Sequence, residues 1–165
     1  MKRLFVLRHA KSDWGQPGVA DHERPLAARG KRATTLLAEH LQRVPVEPAV
    51  VLCSTATRAR QTLDNTRIDA PVRYSERLYG ATPGTMIEEI IETADDIGTL
   101  LVIGHEPTMS ALALILADDD HTDTAVVERI STKFPTSAIA VLAVPCAWKA
   151  LELRRAALTG FEVPR

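Results

Sequence analysis

The sequence predicts a single α/β domain built in three layers, with helices covering both faces of a mostly parallel sheet. Three observations lead to this class. Short apolar runs without helical period recur along the chain, segments of helix length separate them, and each run gives way at once to polar residues.

The first run, Leu4-Phe5-Val6-Leu7, is apolar at successive positions and reads as a strand buried on both faces. Lys11 to Asp21, with its glycines and proline, has loop composition. Arg24-Pro25 then gives a rigid lead-in to a helix over Leu26–Gln42. In that helix Ala33, Leu36, Leu37 and Leu41 recur at helical spacing, while Arg29, Lys31, Arg32, Glu39 and His40 face water. Pro45 and Pro48 are expected to end it. Ala49–Cys53 is a second buried strand, and Ser54-Thr55 is expected to cap a helix containing Arg58, Gln61 and Leu63. The alternation continues with a strand over Val72–Tyr74, a helix over Pro83–Asp95, a strand over Thr99–Ile103 and a helix over Pro107–Leu116. The acidic segment Asp118–Asp123 lacks the glycine and glutamate of a calcium loop and reads as solvated. Ser137–Val144 and Trp148–Arg154 are expected to close the sheet as an antiparallel edge, with Pro145 between them. The last ten residues are expected to form a loosely held tail.

With 165 residues, 45% of them hydrophobic, the chain fits one core from residue 1 to residue 165. Twenty Lys and Arg against 21 Asp and Glu leave a net charge of -1. No global positive field therefore draws in nucleic acid or an anionic membrane, and an anion site must be local. Cys53 and Cys146 have no C-x-x-C spacing and read as reduced core residues. The Leu4–Leu7 run is too short for a signal-peptide core. The apolar stretches Ala111–Ala117 and Ala138–Trp148 fall short of the roughly 20 residues of a membrane span. A soluble cytoplasmic protein is the expectation.

Ligands of such sheets bind beyond the carboxyl ends of the strands, so the polar residues just after each run are the candidates. They are Arg8 and His9, then Ser54, Thr55 and Arg58, then Gly104 and His105. Two arginines and two histidines suit a tetrahedral phosphate, because guanidinium forks match its oxygens and a neutral imidazole can attack phosphorus. Nearby arginines disfavour imidazolium and keep that nitrogen available. Arg60 lies two residues from Arg58, and only one of the two can face the pocket. His22 is placed at the pocket rim without a catalytic role, and Trp14 is either a substrate contact or a loop anchor.

These residues carry a resemblance. Leu7-Arg8-His9-Ala10-Lys11-Ser12 resembles the R-H-G/A signature of the histidine phosphatase superfamily, whose larger members include the cofactor-dependent phosphoglycerate mutases. Ser54 to Thr62 is similar to its second arginine motif, and Val102-Ile103-Gly104-His105-Glu106-Pro107 to its second histidine motif. Arg24-Pro25-Leu26, Leu78-Tyr79 and Lys133 to Ala138 resemble the small SixA-like phosphohistidine phosphatases. The resemblance implies the phosphoglycerate mutase-like fold, His9 as nucleophile, and Arg8, Arg58 and His105 as phosphate-binding catalytic residues. It selects Arg58 over Arg60. Glu76, in Glu76-Arg77-Leu78-Tyr79-Gly80, corresponds to the mutase-branch proton donor and is the candidate acid.

Departures from the larger members are also informative. Gly15 stands where they carry an asparagine that contacts phosphate, leaving Ser12 or Lys11 to compensate. The short Ser75–Thr82 connection leaves no room for a covering insertion, which implies a shallow, open site and argues against mutase activity. The expected activity is metal-independent hydrolysis of phosphohistidine on proteins through a phosphohistidine enzyme intermediate, with no cofactor. The partner is a phosphorylated protein or a small phosphorylated metabolite. The alternatives are a phosphatase of small phosphate monoesters and a non-catalytic phosphate-binding module.

Overall fold

The computed structural model describes residues 1–43 and 49–164. Its sheet contains β1 (Lys2–Arg8), β2 (Ala49–Ser54), β3 (Val72–Ser75), β4 (Thr99–Gly104), β5 (Ile139–Val144) and β6 (Ala157–Glu162). They lie in the order β3-β2-β4-β1-β5-β6. The first four are mutually parallel, and β5 and β6 add an antiparallel edge. The helices are α1 (Ala28–Gln42), α2 (Thr57–Thr66), α3 (Pro83–Ile90), α4 (Thr108–Leu116) and α5 (Thr124–Thr132).

Strand periodicity divides each apolar run between two cores. Phe5, Leu7, Val51, Cys53, Leu101 and Ile103 pack with Leu37 and Leu41 of α1 and with Ala59 and Leu63 of α2. Leu4, Val6, Leu52, Leu100 and Val102 pack in a second cluster with Met86 and Ile90 of α3, Leu112 and Leu116 of α4, and Val126 and Ile130 of α5. The predicted three-layer α/β class is therefore the observed one.

Several local readings are corrected. The first helix starts at Ala28 because Leu26 is held in a bridge with Ser12, and Pro45 and Pro48 lie outside the described residues. Ser54 and Thr55 do not cap α2, whose N-cap position is Ala56. Ser54 Oγ instead takes the Ala56 N–H at 3.2 Å. The third helix stops at Ile90, and Thr93 N–H folds back onto the Ile90 carbonyl at 3.0 Å.

The closing strands differ most. Trp148–Ala150 is a 3-10 turn, because the fully buried indole anchors it and donates to the Ile97 carbonyl at 2.7 Å. The final strand lies at Ala157–Glu162, so that part of the expected loose tail is ordered sheet. Leu158 and Phe161 are buried there and the backbone pairs with β5. Asp123, read as part of a solvated loop, is the N-cap of α5, and its carboxylate accepts the Ala125 N–H. That helix was not predicted. No described helix is long and apolar enough to cross a membrane.

Candidate active site

Parallel pairing brings the carboxyl ends of β1, β2 and β4 to one edge of the sheet. Arg8 stands opposite Gly104 in the register, and the His9 N–H donates to the Gly104 carbonyl at 3.1 Å. The residues that follow are therefore neighbours, with the His9 and His105 ring centroids 5.0 Å apart. Antiparallel β5 begins beside the end of β1. Its approach segment returns to this edge, where the Phe134 carbonyl accepts Arg8 Nη1 at 2.9 Å. The Ser137 N–H contacts the carbonyls of both Arg8 and His9 at 3.1 Å, with Ser137 in the left-handed region at φ 66°.

A cleft of about 250 Å³ opens here, lined among others by Arg8, His9, Arg58, His105, Glu106 and Trp14. His9 is only 6% exposed and Arg58 7%. His9 Nδ1 lies 2.7 Å from the Ala10 carbonyl, which can only accept, so Nδ1 carries the proton and the Nε2 lone pair is left free. Ser54 Oγ, 2.8 Å from His105 Nε2, fixes the second ring. Five buried side-chain polar atoms lack a partner among the described residues. Four of them, Arg8 Nε, Arg58 Nε, His105 Nδ1 and Ser137 Oγ, belong to this strand-end cluster, where a bound oxyanion would supply acceptors.

Both imidazoles are held neutral. His9 is pulled down to about 3, chiefly by burial, with the Ala10 bond opposing and His105, Arg58 and Arg8 adding to it. His105 is pulled down to about 4 by burial and then by Arg58, against Asp21. Desolvation, more than the arginines expected from the sequence, keeps both rings neutral. Both rings are expected to stay unprotonated down to about pH 5, against about 6.5 for free imidazole. Because folding lowers these values, the stability tied to the neutral rings is complete above about 6.5 and declines as the pH falls toward the folded values. Imidazole chemical shifts and thermal midpoints recorded across that range check both; a transition of either ring near 6.5 would contradict the burial argument.

Sequence reasoning gave no site role to the residues that hold Arg58 in place. Arg58 Nη1 and Nη2 donate to the Asp21 carbonyl and carboxylate at 2.7 and 3.1 Å. The same carboxylate accepts Arg24 Nε at 3.0 Å and the Tyr79 hydroxyl. Tyr79 first, then Arg24 and Arg58, hold Asp21 well below the usual carboxylate range, so it is an anion and not a proton donor. Tyr79 packs against His22 and His105, with centroids 4.8 and 5.5 Å apart. The signal for Asp21 was its place three residues before Arg24-Pro25, in a segment without periodicity.

Of the predicted residues, Arg8, His9, Arg58 and His105 meet at the cleft. Arg60 turns away, exposed, over the Tyr74 ring. Glu76 does not join them: it is exposed in the 3-10 turn Glu76–Leu78 and is not among the cleft-lining residues. Glu106 is the glutamate lining the cleft, its carboxylate held by the Ser110 N–H and hydroxyl at 2.6 and 2.7 Å. Ser12 also lines it, but its hydroxyl is taken by Arg24 at 2.6 Å. His22 Nε2 reaches Thr55 Oγ1 at 2.9 Å. No group of three or more His, Cys, Asp or Glu among the described residues is arranged to hold a metal ion.

The family model of the histidine phosphatase superfamily, branch 1, matches residues 4–97, leaving His105 to stand on geometry. An uncharacterized protein of Mycobacterium tuberculosis is 60% identical over 159 residues, covering 96% of this chain and all of that one. One of Mycobacterium leprae is 51% identical over 162 residues, again covering 96% of this chain and all of its own. Among solved structures, the provisionally named phosphohistidine phosphatase SixA of Nakamurella multipartitia superposes with a TM-score of 0.88 at 34% identity, covering 99% of this chain and 96% of that one. Its counterpart from Agrobacterium tumefaciens gives 0.80 at 28%, covering 99% and 98%.

Proposed function

Because the chain belongs to the histidine phosphatase superfamily, we propose that it is a phosphatase that hydrolyses phosphohistidine on proteins through a phosphorylated His9. The observation that carries this reading is the His9 ring: neutral, with Nδ1 tied to the Ala10 carbonyl and Nε2 free, beside Arg8, Arg58 and His105. The Nε2 lone pair attacks phosphorus, and the substrate P–N bond breaks. The departing electron pair stays on the substrate imidazole, which takes its proton from solvent. Arg8, Arg58 and His105 hold the phosphoryl charge through the transition state. Water then attacks the phosphorylated His9, the P–Nε2 bond breaks, and inorganic phosphate leaves with His9 regenerated.

A phosphoramidate has a labile bond and a leaving group that is easily protonated, which fits a cleft where Asp21 is anionic and Glu76 stands outside. The β3–α3 connection carries only the short Glu76–Leu78 turn, so a side chain displayed on another protein can enter where a small metabolite would lack enclosing walls. The provisional phosphohistidine phosphatase names of the similar structures support the same substrate class.

The test compares turnover of a phosphohistidyl protein, a phosphoserine ester and an aryl phosphate, with and without a chelator, by the native chain and Glu76→Gln. We expect preference for phosphohistidine, indifference to the chelator, and a change under about threefold in the variant, since an acid outside the cleft transfers no proton there. Preference for the esters would favour a monoester phosphatase, chelator sensitivity a metal-dependent one, and oxyanion binding without release a non-catalytic module. A large, equal loss on all substrates in Glu76→Gln would overturn the acid-free route.

A further inference from the structure

Trp14 has an arrangement that the proposed chemistry leaves unused. It is 70% exposed, and of the large exposed apolar side chains in the described residues it is the one lining the cleft. Its position is nonetheless fixed. The Lys11–Asp13 backbone runs beside Pro25–Ala27, through the Ser12–Leu26 bridge, Asp13 N–H to the Pro25 carbonyl at 2.8 Å and Ala27 N–H to the Lys11 carbonyl at 2.9 Å. Gly30 lets α1 approach this closely, since a Cβ there would meet the Lys11 carbonyl oxygen at 2.1 Å. Beyond Trp14, the Gly15 N–H is caught by the Asp13 carboxylate at 2.7 Å.

One face of the indole is covered by the Arg24 guanidinium, whose carbon lies 3.4 Å from the ring centroid. Arg24 is buried and held by Ser12 and Asp21. The exposure therefore comes from the opposite face. A flat, electron-rich surface beside a phosphoryl site suits a planar ring that is cationic when protonated ahead of P–N cleavage and leaves as neutral imidazole.

We propose that the open face of Trp14 stacks the planar leaving group of the substrate, the imidazole of a phosphorylated histidine, while the phosphoryl group sits among Arg8, Arg58 and His105. This rests on the phosphohistidine reading and adds a source of leaving-group specificity. Trp14 thereby distinguishes ring-bearing from ringless phosphoramidates that share the same P–N bond.

The experiment measures kcat/KM for phosphohistidine and for phosphoramidate itself with the native chain, Trp14→Phe, Trp14→Leu and Trp14→Ala. We expect Trp14→Ala and Trp14→Leu to lose about tenfold more on phosphohistidine than on phosphoramidate, the scale of one aromatic contact. Trp14→Phe, which keeps a flat face, should stay near the native ratio. Equal losses on both substrates would overturn the proposal and leave Trp14 as a support for Arg24, and an unchanged ratio in all variants would overturn it as well. Failure of the native chain to turn over phosphohistidine would instead overturn the substrate reading, and the inference with it, so the two failures are distinguishable.

Discussion

His9→Ala is expected to lower kcat by about four orders of magnitude or more, the scale on which removal of a covalent nucleophile acts. Nε2 is the free lone pair of a ring whose other nitrogen is committed to the Ala10 carbonyl, and burial keeps the ring unprotonated. Water can still enter in the variant, but it has neither the position nor the nucleophilicity of a fixed imidazole. The phosphoenzyme formed by the native chain, stable to base and labile to acid as an N-phosphate is, should disappear at the same time. Circular dichroism separates loss of chemistry from loss of fold. Retained turnover in a folded His9→Ala protein would remove the proposed nucleophile.

The central strands were legible because a strand covered on both faces needs no alternation, so Leu4–Leu7 and Thr99–Ile103 announce themselves as continuous apolar runs. The parallel register then places Arg8, His9 and His105 at one edge, which is why the core of the site could be assembled from sequence order alone. The periphery obeys other rules. α5 reads Thr-Ala-Val-Val-Glu-Arg-Ile-Ser-Thr, a segment rich in β-branched residues with poor helix propensity, and it is helical because Val126 and Ile130 find a core and Asp123 caps it. β6 carries Gly160 and an alternation broken by a register shift at Val141/Leu142, so its pattern was weaker than that of Trp148–Arg154, where a buried tryptophan mimics a strand.

The same distinction applies within the cleft. Residues that follow strands were found, and of those delivered by loops Lys11, Ser12 and Trp14 were named while the carboxylate that holds Arg58 was not. Arg58 and Tyr79 converge on Asp21 only through tertiary approach, where Arg24 already binds it locally, and no spacing in the sequence encodes a carboxylate shared by two arginines and a phenol. Glu76 shows the converse: a matching segment carries the glutamate while the fold leaves its side chain exposed.

Arg58→Ala tests what that shared carboxylate is for. Arg58 is buried, its two terminal nitrogens are bound by Asp21, its Nε has no protein partner, and its guanidinium carbon lies 5.8 Å from the Tyr79 ring centroid. Asp21 therefore fixes the fork in place while leaving donor capacity for a phosphoryl oxygen. Truncation should lower kcat/KM by about 10²–10³, the cost of removing a preorganised oxyanion donor. Arg58→Lys should recover only part of this, because an ammonium cannot both bind Asp21 as a fork and present a further N–H. A structural role alone would leave the affinity for a phosphoryl mimic unchanged. Vanadate, which mimics the five-coordinate phosphorus, should bind more weakly by a comparable factor. His105, for which Arg58 is the leading charge that disfavours imidazolium, should become easier to protonate in Arg58→Ala, with its titration moving upward from about 4. A loss under about threefold in kcat/KM, with vanadate affinity intact, would show that Asp21 fully occupies Arg58, and the transition-state charge would then fall to Arg8 and His105 alone.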